Sequence, residues 1–158
     1  MKIIKYFFEF IFILIFFLIF KILGYRLASN LGSKIIGLCG PLFRPKKRIL
    51  KNIIKSLNNI SENEAKNIIK NMWCNYGRIL SDYIFIKDFR KSNLDNFLNV
   101  EGLHVLEKIK KDNEPVIFIS GHFNNFELMA MQIEKSGIDL AAIYRPLNNV
   151  FLNKIMET

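Results

Sequence analysis

His122 and Glu127 stand five positions apart in the stretch Ser-Gly-His-Phe-Asn-Asn-Phe-Glu, and this spacing can build an acid–base pair. A neutral imidazole titrates near pH ~6.5, so it can take a proton from a substrate hydroxyl close to neutrality. A carboxylate in the first turn of a following helix can reach back to the other ring N–H, which fixes the tautomer and stabilises the imidazolium as it forms. Base action of this kind contributes about 100- to 10,000-fold. The helix N-terminus alongside would add backbone N–H donors for a developing oxyanion or a phosphate. The pattern alone is weak, because roughly one sequence in six of this composition would carry such a pair by chance. Its position must therefore decide.

The flanking sequence supplies a position. Val116, Ile117, Phe118 and Ile119, bounded by Pro115 and Gly121, read as a short strand buried on both faces. Glu127 opens the apolar series Leu128, Met129, Met131 and Ile133 of a helix that Ser136-Gly137 stops. His122 is thereby expected in a strand-to-helix loop at the C-terminal edge of a strand, where open α/β sheets keep their chemistry. Asp139 to Tyr144 reads as a second strand, completing a βαβ unit with parallel pairing, and Arg145-Pro146 leaves it at the edge that carries His122. Before this unit, Leu94 to Val100 reads as a further strand and Leu103 to Ile109 as a short helix. His104 on that helix reads as a surface or half-buried histidine rather than a ligand. The expected fold class is α/β.

The rest of the chain sets where this unit works. The chain has 158 residues, 51% of them hydrophobic, which is high for a soluble domain. Between Tyr6 and Leu23 the only charges are Glu9 and Lys21, and Phe10 to Phe20 is unbroken apolar sequence. At about 1.5 Å per residue this segment matches a hydrocarbon core of about 30 Å, so it is expected to be a single-pass membrane helix. A cleaved signal peptide is the competing reading, but Tyr25-Arg26-Leu27-Ala28 lacks the paired small residues of a cleavage site. Lys and Arg crowd the sequence after this helix, which places the bulk of the chain on the cytoplasmic side.

Leu27 to Leu38 reads as a helix broken by Gly40-Pro41, and Arg44 to Leu57 as a second helix with a lysine-rich face. Ser61 and Glu64 form a capping box that opens a long amphipathic helix from Ala65 to Ile84. Trp73 and Tyr76 on it read as core, and no nucleic-acid motif accompanies them. A polar join from Lys87 to Asn93 follows. Cys39 and Cys74 lack metal-ligand spacing and read as small core residues in a reducing compartment. The net charge of +9 and pI near 9.6 favour anionic partners such as phospholipid headgroups or an acidic carrier protein, although an A/T-rich coding bias contributes to the lysine content.

Ile-Ser-Gly-His-Phe-Asn-Asn-Phe-Glu resembles the His-x-x-x-x-Asp/Glu block of the bacterial lipid A biosynthesis acyltransferases, the lauroyl and myristoyl transferases, whose common form is His-Phe-Gly-Asn-Trp/Phe-Glu. Val100-Glu101-Gly102 resembles the family's approach to this block. Tyr144-Arg145-Pro146-Leu147-Asn148-Asn149 resembles its Tyr-Arg-Pro-Leu-x-Asn segment. The resemblance implies transfer of a fatty acyl group from acyl carrier protein, or acyl-CoA, to a hydroxyl of a lipid A precursor at the bacterial inner membrane. It assigns His122 as general base and Glu127 as its orienter, with Arg145 and Asn125 as substrate-binding residues, Arg145 meeting anionic substrate groups. No metal or cofactor is implied, because the donor thioester is already activated. The family's glycine within the block is Asn124 here, the non-glycine residue best suited to a left-handed turn.

The resemblance further implies that relatives continue beyond the Tyr-Arg-Pro segment. The expected organisation is therefore a membrane anchor at 1–25, a basic helical region at 26–93, and an incomplete N-terminal part of an α/β acyltransferase domain at 94–158. This chain is then expected to be a fragment, inactive alone or completed by a separately encoded part. Two other readings are kept: a glycerolipid or phosphatidylinositol-mannoside acyltransferase, which shares the block, and a non-catalytic basic membrane-binding remnant.

Overall fold

A computed structural model of the chain describes residues 2–57, 59–143 and 145–156. Helix α1 spans Lys2–Leu23 and α2 spans Tyr25–Cys39, with a single glycine between them. Gly24 has φ +75°, a conformation costly for any residue with a Cβ, and it lets the chain turn without an intervening loop. Gly40–Leu42 closes α2 as a 3₁₀ turn, and Pro45 precedes α3 (Lys46–Ser56), so this helix starts slightly later than its apolar spacing suggests.

Helix α4 (Glu62–Ile84) is the spine of the molecule. Its capping box forms as the sequence dictates: Glu64 N–H donates to Ser61 Oγ at 3.3 Å, and Ser61 N–H donates to Glu64 Oε2 at 2.9 Å. A cap of this type is worth about 0.5–2 kcal/mol. Against α4 lies α2, and the two backbones touch where small residues meet. A Cβ added to Gly77 would overlap the Gly32 carbonyl, and Ser81 Oγ donates to the Ala28 carbonyl at 3.0 Å. Trp73 is buried beside this seam, as expected of a core residue, whereas Tyr76 is half exposed.

The polar join expected after α4 is instead a short helix, α5 (Ile86–Arg90), whose Phe89 is wholly buried. Phe89 joins Phe20, Ala28, Phe85 and Met131 in one cluster, with Phe16, Tyr25, Leu94, Leu98 and Leu128 packed around it. The end of α1 is thus part of the same core as α7 (Glu127–Lys135), the helix that follows the His122 loop. Polar contacts finish the docking of α7: Arg90 pairs with Glu134 at 3.1 Å, and Lys135 Nζ reaches the Phe89 carbonyl and Asp95.

The expected α/β fold is not what forms. Among the described residues there is no strand, so neither the βαβ unit nor a sheet is present. Leu94 to Val100 contains a 3₁₀ turn at Asp95–Phe97. The run at 116–119 and the one beginning at Asp139 carry strand-forming residues but do not pair. Residues of both runs, Pro115 to Phe118 and Gly137 to Ala141, line a cleft of about 590 Å³. Ile117, Ile119 and Ile143 are accordingly exposed. β-propensity describes fitness for a pleated, half-buried surface, and without a partner at ladder distance it makes no strand. Tyr144, where the second strand was expected to end, lies outside the described residues. Helix α6 (Leu103–Asp112) forms as read, with His104 exposed, and α8 (Val150–Met156) has no counterpart in the sequence reading.

Candidate active site

The loop that carries His122 enters α7 through Asn124, Asn125 and Phe126. Asn124 has φ +52°, the left-handed conformation anticipated for the residue standing in the glycine position. This turn lets the chain reverse into α7, and it leaves His122 exposed with its ring against Phe126, the two ring centroids 4.3 Å apart. Glu127 begins α7, as its place in the apolar series requires.

Two consecutive residues near the C-terminal end of α4 hold this loop. Asp82, buried, accepts from Asn125 Nδ2 at 3.2 Å through Oδ2 and from the Tyr25 hydroxyl at 3.0 Å through Oδ1. Tyr83, next in the chain, brings its phenol to the Glu127 carboxylate in a polar contact looser than a well-formed hydrogen bond. Asn125, a member of the block, is therefore held by a hydrogen bond to the last turn of α4, and Glu127 lies close to the same turn through Tyr83. Because Tyr25 follows Gly24 directly, the same carboxylate also ties the loop to the base of α2.

Burial sets the electrostatics here. Burial pushes the Asp82 carboxyl above its ordinary value, outweighing the hydrogen bonds from Asn125 and Tyr25, which favour the anion. The Tyr25 phenol is raised by burial and then by the Asp82 charge. That of Tyr83 is raised by burial and then by Glu127. Asn125 Oδ1 is buried without a partner, so its amide reaches the protein through nitrogen alone.

Of the residues singled out in the sequence, His122, Asn125 and Glu127 fall on one loop and the first turn of one helix. Among the described residues no hydrogen bond joins His122 to Glu127. Arg145 is exposed, and none of the polar or ring contacts found ties it to either of them. Asp82, Tyr25 and Tyr83 are the site residues that sequence reasoning missed. A carboxylate in the last turn of a helix, where the macrodipole disfavours it, was the available signal for Asp82.

Beside α7 lies an apolar cleft of about 540 Å³, walled by Val105, Leu106, Phe118, Leu128, Met129 and Ile133. A family model described as bacterial lipid A biosynthesis acyltransferase matches residues 1–158, the whole chain. No curated protein and no solved structure matches.

Proposed function

The chain belongs to the bacterial lipid A biosynthesis acyltransferase family, and we propose that it takes part in acyl transfer from acyl carrier protein, or acyl-CoA, to a hydroxyl of a lipid A precursor. The observation that carries the proposal is the family match over the whole chain, with His122 and Glu127 at the mouth of α7 in the block the family shares.

In this reading His122 takes the proton of the acceptor hydroxyl as its oxygen attacks the thioester carbonyl. Glu127 turns the imidazole and stabilises its protonated form. The tetrahedral intermediate then collapses: the C–S bond breaks, the ester remains, and the imidazolium returns its proton to the leaving thiolate. In the same reading, donors for the developing oxyanion come from backbone N–H groups at the entry to α7. The exposed guanidinium of Arg145 suits phosphate or sugar-acid groups of the acceptor, and Asn125, tied to Asp82, steadies the loop that carries His122. The cleft beside α7, with its aliphatic and aromatic walls, matches an acyl chain in chemistry. The basic, apolar N-terminal region holds the chain at the inner membrane, with the site on the cytoplasmic side.

The experiment is acyl transfer by the purified chain in detergent, from acyl carrier protein or coenzyme A thioester, offered a lipid A precursor or a glycerolipid acceptor, with product read by mass. An acyl-mass gain on the lipid A precursor alone supports the reading. Transfer only to the glycerolipid would move the assignment to the other acyltransferase class, and transfer to neither acceptor would favour a non-catalytic membrane-binding role.

A further inference from the structure

Helix α1 is long and apolar enough to cross a membrane by length and composition. Its packing, however, uses the length that a crossing needs. Phe20 is buried in the protein core, and Phe16 packs against the same cluster, so one face of the last turns of α1 is fixed to the folded body while Ile19 and Ile22 on the other stay exposed. What remains, Lys2 to Ile15, is only about 21 Å of helix at about 1.5 Å per residue, well short of a hydrocarbon core of about 30 Å.

The opposite end is also held. Asn149, buried, donates to the Tyr6 carbonyl at 3.0 Å and lies 3.4 Å from Glu9. Phe151 of α8 sets its ring against Phe7 and Phe10, at centroid distances of 5.9 and 5.7 Å. Were α1 to cross the bilayer, this contact would lie about 20 Å in from the Leu23 end, and Asn149, Glu9 and the polar residues of α8 would have to be carried into hydrocarbon with it.

One face of α1 is left free, and it is continuous. Ile4, Phe8, Phe12, Ile15, Ile19 and Ile22 follow one another at steps of three and four, and all are exposed, with Phe12 at 72% and Ile22 at 85%. Those steps form a straight ridge along the whole helix.

We propose that α1 lies in the plane of the membrane surface, clamped by the core at one end and by α8 at the other, and sinks this ridge into one leaflet of an anionic phospholipid bilayer without crossing it. The bilayer is the occupant whose chemistry matches: apolar tails for the ridge, and acidic headgroups for a chain of net charge +9 whose Lys2 and Lys5 stand at the N-terminal end of the helix. The proposal rests on the membrane association in the functional reading and on none of its catalysis.

Labelling of the full chain in native membranes tests it, whether or not acyl transfer can be measured. In a Cys39→Ser, Cys74→Ser background, Lys2→Cys and, separately, Lys108→Cys on α6 are exposed to a membrane-impermeant maleimide in spheroplasts and in inverted inner-membrane vesicles. Both positions are expected to react in inverted vesicles alone. Reaction of position 2 in spheroplasts, opposite to position 108, would show a crossing helix and overturn the proposal, as would loss of the N-terminus by cleavage. Independently, Phe7→Cys with Phe151→Cys should be joined by a short bismaleimide in the membrane-bound chain. Failure to form that link while each single cysteine still reacts would remove the clamp and the proposal with it.

Discussion

Asp82 and Asn125, 43 positions apart, meet inside the protein with Oδ2 3.2 Å from Nδ2. The carboxylate also receives the Tyr25 hydroxyl, while Asn125 Oδ1 stays unpaired. Asp82→Ala strands both donors, at about 1–3 kcal/mol for each buried group left unsatisfied. Asp82→Asn has a way out: if the Asn125 amide turns over, its orphan oxygen can accept from the new amide while Tyr25 keeps an acceptor. Equilibrium unfolding of the purified chain in detergent is expected to show a loss for Asn of less than half that for Ala. Equal losses would mean that the charge, not the hydrogen bonds, holds the loop.

The pH dependence of stability follows from the same carboxylate. Burial raises its folded-state value above the ordinary 3.8, so across that interval the folded chain holds a proton that the unfolded chain has released. The unfolded state then binds fewer protons, and stability falls as pH climbs from the ordinary value through the raised one. Asp82→Asn should flatten this segment of the curve. Unfolding midpoints measured from pH ~3.5 upward check it, and a slope unchanged in the Asn variant would place the titration elsewhere.

Tyr83 stands at the Glu127 carboxylate, and Tyr83→Phe keeps its ring while deleting the polar partner. With the carboxylate less confined, its alignment with His122 should loosen, and kcat for acyl transfer is expected to fall about 3- to 30-fold, or ~0.7–2 kcal/mol of barrier. A positioning role predicts that the loss falls on kcat, with little change in KM. In a Glu127→Gln background the Tyr83 substitution should have almost no effect; equal effects in both backgrounds would show that Tyr83 acts only through packing.

Local signals were legible in the sequence and tertiary ones were not. Ser61 with Glu64, the long apolar stripe of α4, the break at Gly40-Pro41 and the stop at Ser136-Gly137 are decided within a turn or two, and each forms as read. Asn124 likewise takes the left-handed turn that its place in the block demands. The strands at 116–119 and from Asp139 failed because their residue types state a preference, while a ladder needs a partner that sequence cannot locate. Phe89 looked like part of a polar join because a single aromatic among Lys, Asp and Arg shows no period, yet it is wholly buried. Within the site, His122 and Glu127 could be picked out by type and spacing. Tyr25 and Asp82 are 57 positions apart, and their meeting is a consequence of how α2 crosses α4.

That crossing gives a stability prediction that does not depend on function. Gly32 and Gly77 meet backbone to backbone, so a methyl on either must push the helices apart. Gly77→Ala is expected to cost about 1–3 kcal/mol through overpacking, despite the better helix propensity of alanine, or about 2–12 °C in Tm for a chain of this size. Gly102→Ala, where a Cβ would meet no neighbouring atom but the backbone has φ +81°, separates crowding from backbone strain. A rise in Tm for Gly77→Ala would mean that the helices can separate freely and that the close approach stabilises nothing.

His122 divides stability from chemistry. Its side chain is exposed on a loop and touches Phe126, while the hydrogen bonds that anchor the loop run through its neighbour Asn125. Removing the imidazole should therefore leave unfolding free energy within about 0.5 kcal/mol of the parent chain. A general base at this position contributes about 100- to 10,000-fold, so acyl transfer to the lipid A precursor should fall by that factor in His122→Ala, with acceptor KM little changed. His104→Ala, on the exposed face of α6, supplies the control and should lose nothing. Parallel rate measurements on the parent and both variants decide the matter: transfer that persists undiminished in His122→Ala would take the base off this loop altogether.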